Sequence, residues 1–230
     1  MSERLRIFVG HDERQGVGLT VFLASLLRHA KRPVDLTVIT AEMAAGIGIG
    51  TDGTNAFTKS RFAVPYWAGF RGMALWLDGS DMILRADPYA IVEHAQSYGK
   101  AVQVVRHEYS PAAGRKYIGT EMEAPNVPYE RKNWSSVMLF WCGHFTCRKL
   151  TPEYIASHDG QHLHRFQWCT EDQIGELPQT WNWLDEYGAR EDAKLVHYTN
   201  GIPGFSAYKD APHAQEWKGY LAMAQRGLQC

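Results

Sequence analysis

The chain has 230 residues, 45% hydrophobic and 21% charged, with a formal net charge of −1. This is enough for one sizeable core, and with no Pro/Ser-rich linker to divide it, one domain over residues 1–230 is expected. The near-neutral balance speaks against a nucleic-acid binder with a concentrated basic footprint, and no run approaches the roughly 20 apolar residues of a membrane-spanning helix.

The basic stretches at residues 28–32 and 131–132 read as solvated faces. The first residues lead into an apolar strand without the h-region of a secretory signal, so a cytoplasmic enzyme is expected, with peripheral membrane contact left open. Cys142, Cys147, Cys169 and Cys230 show no CxxC spacing and read as buried or free thiols.

In chain order, residues 5–9 form a short β-branched strand that runs into the polar loop Gly10-His11-Asp12-Glu13-Arg14. Residues 16–29 carry apolar positions at helical spacing, and residues 35–40 read as a second strand. Strand, helix and strand make a βαβ unit, whose parallel sheet places ligands at the carboxyl ends of the strands. The Gly-rich interval 46–55 has neither GxGxxG order nor a P-loop Lys-Ser/Thr, and reads as a mobile surface loop. Residues 62–70 read as a short helix around Pro65. Residues 73–77 are continuously apolar, as in a strand buried on both faces, and stop at Asp78.

Residues 82–84 resume the apolar pattern, and Asp87-Pro88 opens a helix through His94. Residues 101–105 and 136–141 are further strands. Between them, residues 108–131 hold three prolines and two glycines with little periodicity, the composition of a lid, a binding loop or a disordered segment. Residues 194–197 form a last short strand, and residues 211–225 an exposed amphipathic helix.

Several residues invite chemistry. Asp78 and Asp81 close a buried strand, where paired carboxylates require a proton or a cation between them. A divalent cation with oxygen ligands meets that need and also grips phosphate. The alternative is a turn in which Asp and Gly satisfy backbone donors. His197 ends the last strand, ahead of the Gly/Pro-rich residues 200–204. His158, His162 and His164 lack HExxH spacing, and Cys142, His144 and Cys147 lack the four-ligand set of a structural zinc site. Glu171-Asp172-Gln173, between aromatic segments 166–168 and 181–183, suits either sugar binding or acidic capping of a helix N-terminus.

Taken together, the loop at residues 10–14, residues 60–65, the turn 77–82, residues 132–136, residues 171–178, the Trp181-Asn182-Trp183 triplet and His197-Tyr198-Thr199 resemble bacterial and viral glycosyltransferases related to glycosyltransferase family 8. The resemblance runs from about residue 6 to residue 217. It implies an α/β GT-A fold, Rossmann-like, with a mixed, mainly parallel sheet flanked by helices. Asp78 and Asp81 look like the DxD pair that holds Mn2+ or Mg2+ on the donor diphosphate, and His197 like the histidine that completes the metal site. Gly10, Asp12, Arg61, Gly201 and Gly204 fall at nucleotide-contacting positions, and Asn133, Ser135 and Ser136 where the sugar is held. Asp172 and Gln173 look like the catalytic acidic motif beneath the anomeric carbon.

Two departures stand out. Two residues, Gly79 and Ser80, separate the aspartates where the family has one, so either a bulged turn converges both carboxylates or Asp81 ligates alone. The loop after His197 lacks the family's diphosphate-gripping lysine, a role left to Arg61, the metal or Lys209.

The implied function is metal-dependent transfer of a sugar, of the hexosyltransferase type, from a nucleotide-sugar, by default a UDP-sugar, to a hydroxyl acceptor. The outcome implied is retention, and the acceptor a glycan, lipopolysaccharide or other glycoconjugate. A nucleotide-sugar hydrolase and a weak or inactive nucleotide-sugar-binding member are the competing readings.

Overall fold

The structure, a computed structural model, describes residues 4–51, 53, 55–95 and 99–227. Residues 52 and 54 of the Gly-rich interval and Cys230 lie outside the described residues. The strands, in chain order, are β1 (Leu5–Gly10), β2 (Val34–Ile39), β3 (Met73–Leu77), β4 (Met82–Leu84), β5 (Val102–Val104), β6 (Arg115–Lys116), β7 (Ala124–Pro125), β8 (Val137–Trp141), β9 (Ile174–Glu176), β10 (Trp183–Leu184) and β11 (Leu195–His197). The α-helices are α1 (Gly18–His29), α2 (Ala41–Gly46), α3 (Val64–Trp67), α4 (Pro152–Ser157), α5 (Gly160–His164) and α6 (Ala214–Gly227).

Six strands form one sheet in the order β2-β1-β3-β8-β5-β9. All run parallel except β8, which is antiparallel to both neighbours. The apolar runs read from the sequence account for this sheet, because alternate residues of each strand supply opposite faces. Ile7, Val9, Leu75, Leu77, Val137 and Leu139 pack on one side, with Phe22 and Leu26 of α1. Phe8, Ala74, Trp76, Met138 and Phe140 pack on the other, against Val64 of α3, Ile155 of α4 and Leu163 of α5.

A second sheet, β10-β11-β4, begins where β3 ends. The turn at residues 78–81 hands the chain from the large sheet to the small one. Strand β11 runs antiparallel to β4 with His197 opposite Met82, and Tyr198 N donates to Asp81 O at 2.8 Å. This register brings residues more than a hundred positions apart into one site.

Some expectations change. Residues 41–46 form a helix capped by Thr40, and Ile49 is fully buried, so the Gly-rich interval is anchored in the core instead of lying wholly on the surface. The C-terminal helix is amphipathic but not free: Trp217 and Tyr220 pack against Val21 and Ala24 of α1. The segment 108–131 contains the β6–β7 ribbon and buries Tyr117 and Met122. Helices α4 and α5 and strands β9 and β10 carry too few residues for a periodic signal.

Candidate active site

The acidic turn is shaped by close packing. Gly79 adopts φ +73, a conformation that glycine takes without cost, and a Cβ there would run into Val9. A Cβ at Gly18 would collide with Ser80 O. Ser80 Oγ donates to Gly10 O at 3.2 Å, while Ser80 N and Met82 N donate to Asp78 O and Gly79 O. The extra residue is thereby absorbed in a tight bulge, and both carboxylates converge. Ligand atoms of Asp78, Asp81 and His197 lie within 4.8 Å of one another.

All three side chains are buried, 2–5% exposed, and each has a defined environment. Asp78 Oδ1 accepts from Trp76 Nε1 at 3.0 Å and pairs with Arg61 Nη1 at 2.7 Å. Asp81 Oδ2 accepts from Gln15 Nε2 at 3.4 Å, whereas its Oδ1 has no hydrogen-bond partner. His197 Nε2 lies 3.7 Å from that oxygen, too far for a hydrogen bond. On its other side, His197 Nδ1 meets Asn182 Oδ1 at 3.1 Å. The amide oxygen can only accept, so Nδ1 carries the proton when the ring is neutral, and the Nε2 lone pair faces the carboxylates. An orphaned buried carboxylate oxygen beside an imidazole nitrogen with its tautomer fixed is a donor set that fits a divalent cation.

The electrostatics agree. Burial pushes the Asp78 carboxyl above its ordinary pKa, with Arg61 opposing. Burial would raise Asp81 as well, but the adjacent His197 outweighs it and holds that carboxyl low. His197 is raised in turn, because the Asp81 carboxylate overcomes the burial that disfavours its charge. This is a buried cluster poised around positive charge.

The cluster lines a cavity of about 280 Å3. Its wall carries Asn133, Ser135 and Ser136, at the positions expected to hold sugar. Asn133 takes φ +65, tolerated by Asn, and its buried Nδ2 has no partner. Arg61 is braced by Ser135 O at 3.1 Å, and Ser135 Oγ meets His164 Nδ1 at 2.7 Å. The cavity also receives Lys116, Tyr117 and Lys132. Lys132 Nζ donates to Asn126 Oδ1 and Val127 O, and its pKa is lowered to about 8 by burial and by Lys116.

The other expected residues are placed elsewhere. Asp12 lines a separate small cavity with Thr40 and Glu42, its oxygens taken by Ala56 N and the Arg14 side chain. The close approaches at Gly10, Gly201 and Gly204 are made to Phe57, Tyr208 and Trp217, so packing within the fold uses the missing Cβ atoms, and none of the three glycines lines the cavity. Lys209 is exposed and also lies outside the cavity.

Asp172 and Gln173 are not part of this site. They immediately precede Ile174, which is level with Val102 at the start of β5, whereas the acidic turn follows the last residue of β3. The two segments therefore stand at opposite ends of the sheet. Gln173 Oε1 accepts from Thr170 N at 3.2 Å and Thr146 Oγ1 at 3.0 Å, so its amide closes a helical turn, and the Asp172 side chain is exposed. The hydrogen bonds of this segment are those of a capping box between Thr170 and Gln173.

Several site residues have little signal in the sequence. Gln15 and Asn182 act as partners of the cluster, and Asn182 lies inside the aromatic triplet at residues 181–183. Lys132 adjoins the Asn133 motif and is the nearest to a legible case. The histidine group divides: His164 turns into the cavity, while His158 stacks on Tyr154 at 4.0 Å and lies tilted against His162 at 4.1 Å. Cys142 and Cys147 are free and buried, and burial pushes both thiols upward, Cys142 to about 12, which removes them as nucleophiles.

No family model matches the chain. It is 34% identical over 223 residues to "Protein CDI" of Arabidopsis thaliana, covering 92% of this chain and 84% of that protein. The chain belongs to the protein CDI family.

Solved structures extend the likeness at the level of fold. The bifunctional glycosyltransferase WbbM in its apo form aligns with TM-score 0.68 and 13% identity over 96% of this chain and 50% of its own, so the chain spans half of WbbM. Apo GlyE of Streptococcus pneumoniae TIGR4 gives 0.60 and 16% over 95% of this chain and 60% of its own. The galactosyltransferase LgtC, solved with donor and acceptor sugar analogues, gives 0.55 and 12%, covering 96% of each chain. The shared architecture is the GT-A fold, with a mainly parallel central sheet and flanking helices.

Proposed function

We propose that the chain is a single glycosyltransferase domain that moves a sugar from a nucleotide-sugar, with UDP as the nucleotide, to a hydroxyl of a glycan or glycoconjugate. Mn2+ or Mg2+ is the cofactor, and retention the stereochemical outcome. The observation that carries this reading is the convergence of Asp78, Asp81 and His197 at the wall of a polar cavity on the carboxyl side of β3. In a GT-A fold that is the edge where ligands collect.

Asp81 and His197 would be the principal cation ligands, joined by Asp78, which Arg61 and Trp76 hold in place. A bound cation would supply Lewis-acid neutralisation of charge developing on the departing nucleoside diphosphate. Arg61 holds Asp78 in place and keeps the wall of the cavity positive. Lys116 and Lys132 stand where the family's diphosphate lysine is missing, and they offset phosphate charge from the ribbon side. Asn133, Ser135 and Ser136, backed by His164, orient the sugar hydroxyls. Gly10, Asp12, Gly201 and Gly204 shape the nucleotide end indirectly, through the turns they permit or cap. Asp172 and Gln173 take no part in transfer. Free Cys142, Cys147 and Cys169 suit a reducing, cytoplasmic compartment, and no helix among the described residues is long and apolar enough to cross a membrane.

The decisive experiment is a Mn2+ titration of thermal stability with UDP-sugars, followed by donor consumption with and without saccharide acceptors. Cation-dependent stabilisation and acceptor-dependent turnover, both abolished by chelator, are expected. Full turnover in excess chelator would remove the cation from the reaction. Equal turnover without acceptor would make the protein a hydrolase, and binding without turnover an inactive member.

A further inference from the structure

A second, larger concavity of about 660 Å3 opens at the same edge of the sheet. Its lining is Arg106, His107 and Glu108, just beyond β5, Glu176 at the end of β9, and Gln179, Trp134 and Tyr187. Because β3, β5 and β9 run in the same direction, these carboxyl ends share the edge that carries the acidic turn. The wall between the two cavities is one dipeptide thick: Asn133 lines the first and Trp134 the second. That wall is rigid. Asn133 O accepts from Asn182 Nδ2 at 3.1 Å, and Trp134 Nε1 donates to His107 O at 3.0 Å.

Two features mark this concavity as built for a ligand. His107 is 5% exposed, yet its Nε2 has no partner, while Nδ1 is met by Tyr187 Oη at 3.4 Å. Arg106 is clamped by Glu171 Oε1 at 2.7 Å and Ile174 O at 2.8 Å, and its buried Nε is also unpartnered. Unmet buried polar atoms are costly unless a ligand completes them. Arg106 is already neutralised by Glu171, and the other charged side chains of the lining, Glu108 and Glu176, are exposed carboxylates. Such a lining repels an anionic ligand, while its carboxylates, the amide of Gln179 and two aromatic rings offer directed hydrogen bonds and apolar faces, the combination that matches hydroxyls and C–H surfaces of a sugar.

We propose that this concavity is the acceptor subsite and that it takes a glycosyl unit without negative charge, held by Gln179, Glu176 and His107 beside the rings of Tyr187 and Trp134. The assignment rests on the transferase reading above.

It is tested with the full chain and no donor, by ligand-observed NMR titration of lactose, cellobiose and xylobiose against cellobiouronic acid. At least one neutral disaccharide is expected to bind more than about fivefold tighter than the acid. Gln179→Ala is expected to weaken it about tenfold, the scale of one hydrogen bond to a ligand, with Glu176→Gln in the same direction and circular dichroism unchanged. No binding by any neutral disaccharide, preference for the acid, or indifference to both substitutions overturns the proposal. Saccharide binding without any nucleotide-sugar consumption sinks the transferase reading and the acceptor role with it, leaving only a sugar site.

Discussion

The turn at residues 78–81 and the segment Glu171–Gln173 each place two acidic residues beside a short buried strand, and they do opposite things. The turn lies after its strand, at the edge where a second sheet begins, and burial forces Asp78 and Asp81 together with His197. The segment lies before its strand. Glu171 is half exposed and shared between Arg106 and Arg131, and Gln173 closes a capping box. Acidic residues are buried and forced together at one end of the mainly parallel sheet and solvated at the other, because polarity decides which end collects ligands and burial decides whether a carboxylate needs a partner. Exposed ion pairs such as those of Glu171 contribute little to stability, whereas an orphaned Asp81 oxygen demands a partner.

The largest expected effect separates the two directly. Asp81→Asn should lower acceptor-dependent turnover on the order of 10²–10³-fold, the scale of a lost charge-stabilising group, while Asp172→Asn should stay within about twofold. Comparable losses in both variants would place the segment back in the site.

A smaller effect tests how the cluster is held. Asn182 touches no ligand in this scheme but fixes the His197 tautomer. Asn182→Ala should weaken Mn2+ affinity by about 10–100-fold, read by calorimetric titration. Asn182→Asp should retain most of it, since a carboxylate also accepts from Nδ1. A full loss in both would point to packing and not to orientation.

Acid should strike the turn's end of the sheet first. Burial, with Arg61 and Lys116 adding repulsion, holds His164 at a pKa of about 3, against roughly 6.5 in an unfolded chain. Between those values the unfolded chain binds more protons, so the stability that His164 contributes is full above pH 6.5 and lost as pH falls toward 3. Buried His107, also near 3, acts in the same sense. Asp185, raised by burial to about 6, acts in the opposite one, adding stability as pH falls from 6 toward 4. Asp78 and His197, both raised, act with Asp185, so the contribution of His164 is read by difference: between pH 7 and pH 5 the melting temperature of the parent should fall relative to that of His164→Gln. A constant difference would mean that His164 is protonated in the native state.

The same contrast explains what could be read in the residues beforehand. Runs such as 73–77 and 137–141 announce strands because both faces are buried, and the carboxyl end of such a run identifies Asp78, Asp81 and, on β11, His197. Lys116, Lys132 and His164 could not be found that way. Lys116 and Lys132 are brought to the cavity by long-range contacts of a segment without periodicity, such as Tyr117 N to Asn200 O and Asn126 Nδ2 to Asn200 Oδ1, and His164 comes from the five-residue helix α5. Asp172 and Gln173 were misplaced for a related reason: β9 is three residues long, and nothing in so short a run tells which of its ends faces the site. The glycines at 201 and 204 mark close approach correctly, but residue type alone does not say whether a ligand or an indole ring makes it.

The smallest effect falls on the structural end. Gln173→Ala removes the acceptor for Thr170 N and Thr146 Oγ1, and a lost cap of this kind costs about 0.5–2 kcal/mol. For a chain of this size that is a fall of a few degrees in melting temperature, with turnover within about twofold of the parent. Because the two acidic segments stand at opposite ends of the sheet and share no partner, the stability changes of Gln173→Ala and Asp81→Asn should add to within about 0.5 kcal/mol in the double variant. Strong coupling between them, or a turnover loss in Gln173→Ala at unchanged melting temperature, would show that the capping turn reaches the chemistry and that the two ends of the sheet are not independent.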